Sequence, residues 1–93
     1  MRLTFKKENI ASFEQLFENT KQDIRNFEGC SHLQLLRDRR EPNVYVTYSH
    51  WESERHLENY RNSELFRTVW GETRALFGKP AVAWSLDPLA SLN

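Results

Sequence analysis

Between Val44 and Ser53 the apolar pattern changes period, and this change constrains the fold more than any other feature of the chain. Val44, Val46 and Tyr48 alternate as strand residues do. From Ser53 onward the apolar positions recur at helical spacing, with Ser53 suited to an N-cap and Glu52 and Glu54 suited to the positive end of a helix dipole. A strand ending in Ser49-His50-Trp51 therefore passes directly into a helix. The stretch from Tyr45 to Phe77 also carries Tyr48, Trp51, Tyr60, Phe66 and Trp70, rings that either fill a core or line a pocket.

The flanking sequence supplies the remaining elements. Arg2 to Lys6 reads as a first strand, short enough that its beginning is expected upstream of Met1. Ile10, Phe13, Leu16, Phe17, Ile24 and Phe27 mark an amphipathic helix, ended by Gly29 as a residue free to take positive φ. Ser31 to Arg37 alternates, with Leu33 and Leu35 on one face and His32, Gln34 and Leu36 on the other. The polar turn Asp38 to Asn43 leads into Val44 to Trp51, its antiparallel partner. After the helix opened at Ser53, Asn62 or Ser63 caps a second one, whose stripe runs through Leu65, Phe66, Val69, Trp70, Leu76 and Phe77. Gly78-Lys79-Pro80 is expected to stop that helix, and Ala81 to Leu86 to form a closing strand around Val82, Trp84 and Leu86. The order β-α-β-β-α-α-β predicts an α+β ferredoxin-like plait, an antiparallel four-stranded sheet with helices on one face.

Length and charge narrow the function. Ninety-three residues that are 39% hydrophobic suit one domain spanning 1–93. Lys plus Arg and Asp plus Glu both number 13, without a basic stripe, which argues against a nucleic-acid partner. The short apolar runs argue against a membrane segment and for a cytoplasmic location. The single cysteine, Cys30, is expected to be a reduced, packed thiol, and three scattered histidines do not make a metal site. Both sheet faces read as partly apolar, so the helix-free face is expected to meet a second copy in a homodimer.

Three segments carry a family resemblance: Asn26-Phe27-Glu28-Gly29-Cys30, Thr47 to Glu54, and Asn62-Ser63-Glu64-Leu65-Phe66. Together they resemble the antibiotic-biosynthesis-monooxygenase-like domains of the dimeric α+β barrel superfamily. The resemblance implies one of several activities: cofactor-independent oxygenation of quinols or anthrones, haem degradation, isomerisation, or none. The haem-degrading branch places a Trp two residues before the Asn-Ser-acid segment and a His four residues after its Phe. Tyr60 and Trp70 stand there instead, and an indole cannot ligate iron, so haem degradation is not expected.

A cofactor-independent oxygenase needs polar groups set in aromatic walls, to deprotonate an electron-rich substrate and hold its oxyanion away from water. His50, His56 and Tyr60 are the candidate catalytic residues, and Tyr48, Trp51, Asn59, Phe66 and Trp70 the candidate substrate contacts. Each has a plainer reading: His50 as an edge residue, His56 as a solvated helix residue, Trp51 and Trp70 as core rings. The expected function is a monooxygenase acting without a cofactor on a small aromatic, quinol- or anthrone-type substrate in a pocket between sheet and helices. The alternative is a non-catalytic small-molecule binder or a structural dimer with a full interior.

Overall fold

The computed structural model describes residues 1–92. Its elements are β1 (Arg2–Phe5), a 3-10 turn (Lys7–Asn9), α1 (Ile10–Arg25), β2 (Cys30–Arg37), β3 (Val44–Trp51), α2 (Glu54–Arg61), α3 (Glu64–Arg74) and β4 (Phe77–Val82). The strands form one antiparallel sheet in the order β2-β3-β1-β4. This is the α+β ferredoxin-like plait, with the second crossover split into two helices.

Alternation sorts the strand residues. Leu3 and Phe5 of β1 and Tyr45 of β3 turn toward the helices, where they meet Phe13 of α1 in a core that leaves each of them 3% exposed or less. Phe5 stacks on Phe13 at 4.1 Å between centroids, and Tyr45 meets both rings edge-on. The Tyr45 hydroxyl donates to Glu14 of α1. Burial, and then the Glu14 carboxylate, hold this phenol above its ordinary pKa. Full burial of an aromatic ring is worth about 2–3 kcal/mol, so these rings dominate the attraction between α1 and the sheet.

Helix ends follow the chemistry of their caps. The Ser53 hydroxyl accepts from the His56 amide at 3.2 Å, and Ser63, not Asn62, accepts from the Phe66 amide at 3.1 Å. One serine thus opens each half of the split crossover. Helix α1 stops at Arg25, so Phe27 sits in the turn beyond it, and Gly29 takes φ +91°. A Cβ on Gly29 would run into the His56 side chain, so glycine is required both for conformation and for the close approach of α2. In the β2–β3 turn the Asp38 carboxylate accepts from the amides of Arg40 and Glu41. The Glu41 bond, then the Arg40 bond, hold its pKa below the ordinary carboxylate value.

The chain's last elements differ from expectation. Helix α3 ends at Arg74, and Gly78-Lys79-Pro80 lies inside β4 rather than between helix and strand. Leu76 and Phe77 continue the helical stripe in sequence, but Phe77 pairs with Phe5, Lys79 with Thr4 and Val82 with Arg2, with two irregularities in register. The strand lies at the sheet edge, where a proline's missing N–H leaves no ladder bond unmade. Gly78 fits because a Cβ there would approach the Lys6 nitrogen to 3.2 Å. Trp84 and Leu86, expected within the closing strand, lie beyond it and are 54% and 75% exposed.

Candidate functional site

Only two residues separate the end of β3 from the start of α2, which places Trp51, at the last position of the strand, beside Tyr60 in the last turn of the helix. Their rings stack at 5.0 Å and 24°. Phe27, from the turn after α1, meets Tyr60 edge-on at 5.3 Å, and Phe66 closes on it from α3 at 5.2 Å. Phe66 then stacks on Trp70 at 5.8 Å, and Trp70 reaches Phe77 and through it Phe5 of the core. The bend at Asn62 and Ser63 turns Phe66 and Trp70 back toward Tyr60, so four of the expected residues, Trp51, Tyr60, Phe66 and Trp70, form one continuous wall.

Tyr60 is the polar centre of that wall. Its hydroxyl makes no hydrogen bond among the described residues, and desolvation, reinforced by the neighbouring Cys30, pushes its pKa up to about 12. At neutral pH it is therefore a phenol able to donate a hydrogen bond, not a phenolate able to take a proton.

His56 lies one turn before Tyr60 on α2, half-buried over Gly29. Its Nδ1 is 2.7 Å from the Ser53 hydroxyl, and its Nε2 is 3.7 Å from a Glu52 carboxylate oxygen. A ring held by an acid on one side and a hydroxyl on the other is fixed in orientation. Asn59 precedes Tyr60 on an exposed part of the helix.

Tyr48 and His50 stand on the opposite side of the sheet. They alternate with Tyr45 and Trp51 along β3, so they project from the helix-free face. There the Tyr48 hydroxyl lies 2.7 Å from His50 Nε2, and His32 of β2 packs 5.0 Å from the His50 ring. His50 and His56 therefore do not converge: the sheet separates them. Among the described residues no three of His, Cys, Asp and Glu gather as a metal site would require.

Sequence reasoning assigned no site role to Phe27 or Cys30, which form the floor under Tyr60. Cys30 pairs with Trp51 and His32 with His50, so Ser31 is an extra residue, a bulge that puts Cys30 on the helix side and His32 on the other. The free, buried thiol follows from this. The signal available in sequence was the segment Phe27-Glu28-Gly29-Cys30, which carried part of the family resemblance. Two shallow, open concavities lie elsewhere on the surface. One, of about 130 Å3, lies between α1 and β2 near Phe17 and Leu33. The other, of about 460 Å3, lies at the hairpin end of the sheet near Thr4 and Val44. Neither borders Tyr60.

No helix among the described residues is long and apolar enough to cross a membrane. None of the curated proteins matches the chain. Solved structures do. One described as an antibiotic biosynthesis monooxygenase superposes with a TM-score of 0.89 at 18% identity, covering 96% of this chain and 94% of that one. A conserved protein from Methanosarcina mazei Go1 gives 0.80 at 18% identity over 85% and 78%. Rv0793 from Mycobacterium tuberculosis gives 0.79 at 17% identity over 96% and 93%. At these identities the likeness is one of fold. The sequence itself matches the family model for antibiotic biosynthesis monooxygenase over residues 1–70, three quarters of its length, and the chain belongs to that family.

Proposed function

We propose that this protein binds a small aromatic substrate of the quinol or anthrone type against the wall formed by Trp51, Tyr60, Phe66 and Trp70, and oxygenates it without a cofactor. The observation that carries the reading is the Tyr60 hydroxyl: half-buried among rings, protonated at neutral pH and without a protein partner, it is free to donate to a substrate oxygen. His56, oriented by Ser53 and Glu52, is the base one helical turn away. For an anthrone, the base removes a proton from the ring CH2, and Tyr60 stabilises the resulting oxyanion. The carbanion then passes electrons to dioxygen. The CH2 becomes a carbonyl and the second oxygen atom leaves as water, so the substrate supplies all four electrons. Asn59 is a second contact at the mouth of the site. Tyr48 and His50 belong to the other face and act, in this reading, through the dimer.

The homodimer is part of the proposal. Val44, Val46, Val82, Leu36 and Tyr48 share the helix-free face, and Leu36 and Tyr48 are each 44% exposed. A second copy over this face would bury more than about 1,000 Å2 in total. The 93 residues act as one domain, and a lone buried cysteine suits the reducing cytoplasm.

Anthrone is a direct probe. Oxygen uptake with formation of anthraquinone, lost in Tyr60→Phe and His56→Gln while the fold persists, is the expected result. Anthrone that binds without turnover would favour a non-catalytic binder. Absence of binding would favour the structural reading, which has its own support: the rings around Tyr60 pack against one another, and neither concavity reaches them.

A further inference from the structure

The helix-free face carries a pair of histidines that the aromatic wall does not use. The bulge at Ser31 sets His32 of β2 directly across from His50 of β3, and their rings lie 5.0 Å apart between centroids. Each ring is tied along its own strand: His32 Nε2 is 3.3 Å from the Gln34 side-chain oxygen, and His50 Nε2 is 2.7 Å from the Tyr48 hydroxyl. Neither bond is lost when its ring takes up a proton. The Gln34 oxygen accepts from a neutral or a charged ring, and the Tyr48 oxygen can accept from His50 once that nitrogen carries hydrogen. Protonation would leave two like charges side by side on one sheet face.

Nothing else on this face offsets such charge. None of the four strands contains an acidic residue. Strand register puts Arg2 of β1 and Lys79 of β4 on the same side as Val44, Val46 and His50, and the Met1 ammonium donates to the Thr47 carbonyl of β3 at 2.9 Å. Arg37 of β2 is turned to the helix side, beside Glu14. At the histidine end of the sheet, Glu28 lies in the turn before β2 and Glu52 approaches His56, at 3.7 Å. Among the described residues no carboxylate comes within 4.0 Å of the His32 or His50 ring nitrogens.

We propose a pH switch that rests on the homodimer reading above: His32 and His50 are covered as neutral rings when two copies meet through the helix-free face, and their protonation separates the copies. A two-fold axis repeats every group, so both histidine pairs and the cations around them share one interface. Covering the rings removes the water that would solvate a charged imidazole, and adds the like charges of the second copy. The separated chain therefore binds protons more readily than the dimer. Linkage turns that difference into dissociation as pH falls through the range in which imidazole ordinarily titrates, about 5 to 8. Acid opens this interface, and neutral pH closes it.

Sedimentation equilibrium at about pH 7.5 and about pH 5.5, with circular dichroism to follow the fold, tests this. The expected result is a dimer at the higher pH and a dissociation constant raised about tenfold or more at the lower one, with the separated chain still folded and part of the loss recovered in high salt. His32→Gln/His50→Gln carries no ionisable ring at either position and should dimerise at both pH values. His50 is exposed and His32 half-buried, so the single variants should fold as well, and each should lose part of the pH response. His56→Gln removes the histidine on the other side of the sheet and should keep the full response. A monomer at the higher pH would overturn the dimer and the switch together. A dimer unchanged by acid, dissociation that only accompanies unfolding, or a response that persists in the double variant would overturn the switch alone.

Discussion

Tyr45 and Tyr48 lie three residues apart on the same strand, yet one is 2% exposed and the other 44%. Tyr45 faces α1, where its ring meets Phe5 and Phe13 and its hydroxyl finds Glu14. Tyr48 faces away, bonded only to His50 beside it on the same strand. The sheet offers both residues the same backbone, so the contrast comes from what covers each face. The helix side is a closed system of rings that runs from Phe13 to Trp51. The other side pairs its polar groups locally and leaves its apolar ones in want of a neighbour.

The sharpest way to break this comparison is to remove a ring from the covered side. Phe5→Ala should cost about 3–5 kcal/mol in urea denaturation, a large part of the stability of a domain this size. A loss under 1 kcal/mol would mean that the closed system repacks freely. Gly29→Ala comes next, since it combines a left-handed backbone with a collision against His56; about 2 kcal/mol or more is expected. His56→Gly in that background should recover part of it if the collision dominates the strain.

Alkaline pH probes Tyr60 directly. The folded-state pKa of Tyr60, about 12, lies above the unfolded value near 10, so the folded protein holds this proton more tightly. Stability should be unaffected by this group below pH 10 and should fall between pH 10 and 12. Tyr60→Phe should reduce that fall, leaving the part that the raised pKa of Tyr45 contributes. A Tyr60 phenol that ionises near the free value of about 10 would contradict the assignment.

Smaller again is the cap. Ser53→Ala should cost about 1 kcal/mol through the orphaned His56 amide, and should also loosen the His56 ring that Ser53 holds. The smallest effect on stability is expected on the open face, where Tyr48→Ala should fall within about 0.5 kcal/mol for the isolated chain. The same substitution should weaken the dimer in analytical ultracentrifugation. A chain that sediments as a monomer at micromolar concentration, before any substitution, would remove the reason for assigning that face a partner.

Much of this contrast was legible in the chain. Strand β3 carries the alternation of Val44, Val46 and Tyr48 and runs on to Trp51 as expected, and Ser53 and Ser63 cap the helices that follow, because period and hydroxyl position are local properties. The site was legible in its rings and less so in its polar members. Trp51 and His50 are neighbours in sequence and opposites in space, and a list drawn by proximity along the chain gathers both. The bounds of β4 escaped, because Leu76 and Phe77 satisfy a helical stripe and an edge strand equally well, and only pairing with Phe5 decides between them. The packing of His56 on Gly29 was hidden for a similar reason: it joins two segments that no local pattern connects.

The extra residue at Ser31 has a consequence for how β2 can change over evolutionary time. Upstream of it the strand counts its faces in one frame, and downstream in the other, much as an inserted nucleotide shifts a reading frame. Deleting Ser31 would restore a single frame and force a choice: either Cys30 leaves the floor beneath Tyr60, or every residue from His32 to Arg37 changes sides. Single-residue deletions elsewhere in the polar turn from Asp38 to Asn43 change the length of a connection. At this position one residue separates two addresses, so the length of β2 before His32 is as much a part of the site as any side chain that lines it.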